Sequence, residues 1–111
     1  MQFDLWSARS GVKLSDELEG VKVEGRDGAI GKVHHVNYEG TCLIVTTGRL
    51  LGKKYAIPAW AVERVDPDGS VGVDLTKAEV EGSPAYDDVA GFDDACETRV
   101  GAYYEDLMAT R

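Results

Sequence analysis

Leu18-Glu19-Gly20-Val21, Asp27-Gly28-Ala29-Ile30-Gly31-Lys32-Val33, Tyr55-Ala56-Ile57-Pro58, Val71-Gly72-Val73-Asp74-Leu75-Thr76 and Ser83-Pro84-Ala85-Tyr86 follow one another between residues 18 and 86. Each piece is strand length, and most are set off by Gly, Pro or Asp. Val21 and Val23 alternate with Lys22 and Glu24, the period-two signature of a half-buried strand. Asp27-Gly28 marks a hairpin, because Gly accepts the positive φ that tight hairpin turns require. The strand that follows, Ile30 to Tyr38, breaks its own alternation. Val33 and Val36 differ by three positions and cannot share a face of a regular strand, so a β-bulge near His34-His35 is expected.

Further along, Glu39-Gly40 turns the chain, and Thr41 to Thr47 is β-branched and apolar on both faces, as in a central strand. Lys53 to Ile57 returns. Pro58 ends that strand because it has no N–H for the ladder. Ala59-Trp60-Ala61-Val62 is expected to make one tight turn. Glu63-Arg64-Val65 and Ser70-Val71-Gly72-Val73 flank the Pro67-Asp68-Gly69 turn. Thr76-Lys77-Ala78-Glu79 spells a capping box, so a short helix starts there. Strands this short and regularly spaced suggest a sandwich or a barrel, and closure removes exposed edges.

At 111 residues the chain is one domain with a small appendage. Its 43% hydrophobic and 29% charged residues are those of a globular protein. The longest apolar run, Cys42-Leu43-Ile44-Val45, falls far short of a membrane span. Met1 to Trp6 lacks the pattern of a signal peptide, so a cytoplasmic location and no membrane insertion are expected. Cys42 and Cys96 are expected to stay reduced and packed.

The net charge of −8 is unevenly spread: residues 20–76 carry seven basic and seven acidic side chains, whereas residues 77–111 carry three and nine. No large Lys/Arg cluster stands out, so direct nucleic-acid binding is not expected. In the tail, Val89, Phe92, Cys96, Val100, Tyr103 and Leu107 recur at spacings of three and four, one face of an amphipathic helix.

Taken together, the order and punctuation of Leu18-Glu19-Gly20-Val21-Lys22-Val23, Gly28-Ala29-Ile30-Gly31-Lys32-Val33, Ile57-Pro58-Ala59, Val65-Asp66, Val73-Asp74-Leu75-Thr76-Lys77 and Ser83-Pro84-Ala85-Tyr86-Asp87 resemble the PRC-barrel family. That family includes the cytoplasmic barrel of the photosynthetic reaction-centre H subunit and the C-terminal domain of the ribosome-maturation factor RimM. The resemblance implies a mainly β fold: a small barrel of five to six short antiparallel strands, a short helical turn after the last strand and a C-terminal amphipathic helix. The expected divisions are an N-terminal lead (1–17) packed on the barrel or a partner, the barrel (18–87) and an acidic helical segment (88–111). The resemblance also implies a docking module. It carries no catalytic residue set and no cofactor.

The residues themselves give little chemistry. His34 and His35 are adjacent on a strand and point to opposite faces, and no nearby spacing completes a zinc site, so no metal is expected. Asp87-Asp88 and Asp93-Asp94 read as solvated carboxylates. No nucleophile motif or phosphate loop is present, and no enzyme is expected. Arg49, Lys53, Lys54 and Arg64 form either a solvated hairpin or a docking point for an acidic tail such as Asp87–Asp94 of another copy. Trp60 is a core plug or, beside Tyr55 and Leu50, an interface anchor. The expected function is a non-catalytic interaction module that forms a homodimer. The contact residues would be Trp6, Leu50, Tyr55, Trp60, Phe92, Val100, Tyr103 and Leu107, since the helical stripe looks too long for so small a barrel to cover. The alternatives are an adaptor in ribosome assembly or RNA processing that acts through a protein partner, and an accessory subunit of a photosynthetic or other membrane complex.

Overall fold

The structure, a computed structural model, describes residues 4–37, 39–47, 52–67, 69–87 and 89–110. Six strands are present: β1 (Lys22–Gly25), β2 (Gly28–Val36), β3 (Cys42–Thr47), β4 (Lys54–Pro58), β5 (Val62–Val65) and β6 (Val71–Val73). Two α-helices follow, α1 (Lys77–Glu81) and α2 (Asp94–Ala109). Short 3-10 turns at Asp16–Leu18 and Ala59–Ala61 complete the path.

The strands form one mixed sheet in the order β4-β3-β2-β1-β6-β5. The expectation of antiparallel pairing throughout fails at one place: β1 and β6 run parallel, with Val23 opposite Val71. The cause is the path of the chain. β6 is the return arm of the β5–β6 hairpin, whose direction is set by the tight turn out of β4.

The hydrogen-bonded ladder does not close, so the expected barrel is not formed as a continuous ladder. Among the described residues β4 and β5 are the two edges. Nevertheless the sheet must be rolled. Five strand spacings would hold the edges of a flat sheet about 24 Å apart, whereas the three-residue turn Ala59–Ala61 that joins them spans only about 6 Å. The turn is fastened on each side. Ala59 N donates to Thr41 O (2.8 Å), Asp74 N to Ala61 O (2.8 Å) and Trp60 N to Leu5 O (3.0 Å).

Alternation along the strands sorts the side chains onto two faces. Val33, Val45 and Tyr55 lie in register on the inner face, as do Leu43 and Ile57, and all are buried. Cys42 to Val45 is buried on both faces, as a central strand must be. The register shift between Val33 and His35 is the expected bulge. It lets Val33 and Val36 both turn inward, where they are 2% and 6% exposed. The Gly28 φ of 128° provides the hairpin conformation that Asp27-Gly28 announces. Gly31 serves a different purpose: a methyl there would run into the carbonyl oxygen of Thr46, so β2 and β3 can approach only because it is bare.

The capping box is complete. Glu79 N donates to Thr76 Oγ1 (3.1 Å) and Thr76 N to Glu79 Oε1 (2.8 Å). Two local expectations are corrected. Ser83–Tyr86 is not a strand but makes a single bridge, Ala85 to Tyr55, since Pro84 cannot donate to a ladder. Val89 is not on the helical stripe either and is 96% exposed. The helix starts only at Asp94, where the Asp93 carboxylate accepts from Cys96 N (2.8 Å) and fixes the first turn. Before it, Gly91 has a φ of 72°, outside the helical range.

Candidate interaction surfaces

Several of the residues expected at an interface are inside the chain. Val100 is fully buried and Tyr55 is 5% exposed. Cys96, Val100 and Tyr104 join the same core cluster as the sheet, with Tyr103, Leu107 and Met108 half-buried beside it. The helical stripe is therefore covered by its own chain. Tyr103 donates its hydroxyl to Glu79 O (2.6 Å), which ties α2 to α1. Leu50 lies outside the described residues.

Trp60 is half-buried rather than plug or open anchor. The Arg9 guanidinium lies 4.7 Å from its ring centroid, and Arg9 Nε donates to Trp60 O (2.6 Å). The lead is fixed here, with Leu5 4% exposed. Arg9 and Arg26 also reach Asp74 at 3.9 and 3.6 Å. Such half-exposed ion pairs contribute little on their own.

Trp6 and Phe92 remain partly open, edge to face with ring centroids 5.3 Å apart. The Trp6 indole lies against Gly101 of α2. Two grooves meet at Trp6. One, of about 480 Å³, is lined by Asp94, Glu97 and Glu105 with Thr98, Gly101 and Ala102. The other, of about 240 Å³, adds Glu39, Asn37 and Thr41. No Lys, Arg or His lines either groove. Below them, Asn37 Oδ1 accepts from Thr41 N (2.7 Å) and Cys42 N (3.0 Å).

A larger groove, of about 630 Å³, is elsewhere. It lies on the outer face of the β1–β2 hairpin, lined by Lys22, Lys32 and Lys77 with Glu24, Thr46, Ala29, Ile30 and Gly31. Lys22 stands directly opposite Lys32, and Lys32 opposite Thr46. Like charges directly opposite on a ladder destabilise it. Glu24 does not relieve them; it pairs with Arg64 Nη2 at 3.8 Å. The Asp27 carboxylate accepts from the Lys77 backbone amide (3.2 Å).

His34 and His35 lie edge to face with centroids 5.3 Å apart, and among the described residues no group of three His, Cys, Asp or Glu could hold a metal ion. Cys42 and Cys96 are free and buried. Burial, with smaller contributions from Cys96 and Glu97, pushes the Cys42 thiol up to about 12, so it is protonated and inert near neutrality. Burial also raises the Tyr104 phenol, partly offset by Ser83. Its hydroxyl nonetheless has no hydrogen bond of good geometry, and Ser83 Oγ donates instead to Val80 O (2.6 Å). Among the described residues no helix is long and apolar enough to cross a membrane.

The chain matches no protein-family model, and a search of curated proteins returns no match.

The charged grooves were missed by sequence reasoning. A plain two-residue hairpin would set Lys22 against Gly31. The register shift between Val23 and Glu24 sets it against Lys32 instead. The acid face of α2 is legible as Asp94, Glu97 and Glu105, but nothing local to it announces that Trp6 folds across it.

Proposed function

We propose that this chain is a non-catalytic interaction module of the PRC-barrel type that self-associates as a homodimer. The observation that carries the reading is Trp6. A large aromatic is left half open on the surface with Phe92 at its edge, and four carboxylates, Glu39, Asp94, Glu97 and Glu105, line the grooves beside it. A folded chain of this size has room to cover one tryptophan, as it covers Tyr104 and Tyr55. An aromatic kept at the surface within a charged rim is the usual make-up of an interface centre. The rolled sheet supports the PRC-barrel reading, since its filled interior leaves only the outside for binding.

Sedimentation equilibrium of the whole chain tests this. At about 100 μM, where even a weak specific dimer is populated, the expected mass is twice the 12.0 kDa of one chain. Trp6→Ala is expected to return it to one chain. A wild-type mass of one chain overturns the homodimer.

A further inference from the structure

We infer that the lysine groove is the seat of a second copy's α2. Lys22 and Lys32 of one chain face Asp94 and Glu97 of the other, and the contact is repeated reciprocally about a twofold axis. This rests on the reading of the chain as a self-associating module and names the surfaces it uses.

Lys22 and Lys32 are forced together by the β1–β2 register. Among the described residues neither makes an ion pair, and the one carboxylate lining their groove is engaged by Arg64. A groove of this kind asks for an anion. Opposite in character are the Trp6 grooves, lined by acids with no basic side chain. Asp94 and Glu97 also make no ion pair among the described residues. The molecule thus carries a basic concavity and an acidic one that its own fold holds apart.

The spacings agree as well. Directly opposed strand residues have Cβ atoms about 5 Å apart. Residues three apart on a helix lie on one face with Cβ atoms about 5–6 Å apart. A Lys22/Lys32 pair and an Asp94/Glu97 pair therefore meet charge for charge. Beside the charges each surface is low: Ala29 and Gly31 in the lysine groove, Gly101 and Ala102 beside Trp6. Small residues let a helix settle close on a sheet. The charges set register and choose the partner, while burial of Trp6 contributes the apolar part. Each copy holds one surface of each kind, so a pairing about a twofold axis uses both.

Charge exchange tests the inference. K22E/K32E and D94K/E97K variants are made in the whole chain and run separately and mixed by sedimentation equilibrium, at an ionic strength where the Debye length is about 8 Å and net repulsion is screened. Folding is checked by circular dichroism and thermal unfolding; Lys22→Glu alone, which creates an opposite-charge pair, is the control that keeps the sheet intact. The expected result is that each double variant loses the dimer and that the equimolar mixture regains it, because both contacts then set carboxylates against lysines. A wild-type dimer with dimeric double variants overturns the lysine seat and leaves the homodimer standing. Monomeric double variants whose mixture stays monomeric also overturn it. A monomeric wild type overturns both readings.

Discussion

The β1–β2 hairpin and the helix α2 are built alike and finished differently. Each buries one face in the common core: Val23, Ile30 and Val33 on the hairpin, Cys96, Val100 and Tyr104 on the helix. Each leaves the other face open. The hairpin's open face gathers lysines, and the helix's gathers carboxylates around Trp6. The inner faces decide whether the chain folds. The outer faces carry the charged grooves. A net charge of −8 hides this division, since it averages a basic surface with an acidic one.

The comparison breaks most sharply if the inner and outer faces of α2 respond alike to truncation. Tyr104→Ala removes a fully buried side chain and is expected to cost about 3–5 kcal/mol in urea unfolding. Glu97→Ala, on the outer face, is expected to stay within about 0.5 kcal/mol of wild type. Tyr104→Phe sharpens the point. Its hydroxyl lacks a well-made hydrogen bond, so removing it is expected to be neutral or stabilising by about 1 kcal/mol.

Next in size is a pH effect. The Cys42 pKa is raised by burial from its ordinary 9.0 to about 12. A raised pKa means the folded state keeps a proton that the unfolded state releases. That stabilisation is fully present below pH 9 and is lost as pH climbs from 9 toward the folded value. Stability is expected to fall by about 1.4 kcal/mol per pH unit over that window. The Tyr104 phenol, also raised from its ordinary 10.0, adds to the fall at higher pH. Cys42→Ala is expected to flatten the slope just above pH 9, measured by urea unfolding at stepped pH. An unchanged slope would place the thiol in a wetter site.

The hairpin can be tested on its own two faces. Gly31→Ala drives a methyl into the Thr46 carbonyl and is expected to cost about 1–3 kcal/mol. Lys22→Glu replaces a like-charge pair with an opposite one and is expected to stabilise the single chain by about 0.2–1 kcal/mol. It should at the same time weaken self-association. Loss of stability in this variant would mean that Lys22 and Lys32 are not opposed.

Much of the sheet was legible because its signals are local. The Val33/Val36 mismatch gave the bulge, Asp27-Gly28 the hairpin, and Thr76 with Glu79 the capped helix. Pairing of distant strands was not, and so the parallel β1–β6 contact and the open ladder between β4 and β5 came only from the structure. The tail misled by continuity: Val89 fits the helical period, but Gly91 and the Asp93 cap start the helix later. Whether a stripe is covered by its own chain is a tertiary fact, and the length of the stripe alone could not decide it. The charged grooves were least visible. One depends on a one-residue register shift in β1, the other on a lead that folds 95 residues away in sequence onto Gly101.

The most direct measurement is an amide chemical-shift map of the whole chain at rising concentration. Lys22 and Lys32 are expected to shift in step with Asp94 and Glu97 while Leu43 and Val45 in the core stay still. Shifts confined to other surfaces, such as that around Trp60, would contradict it.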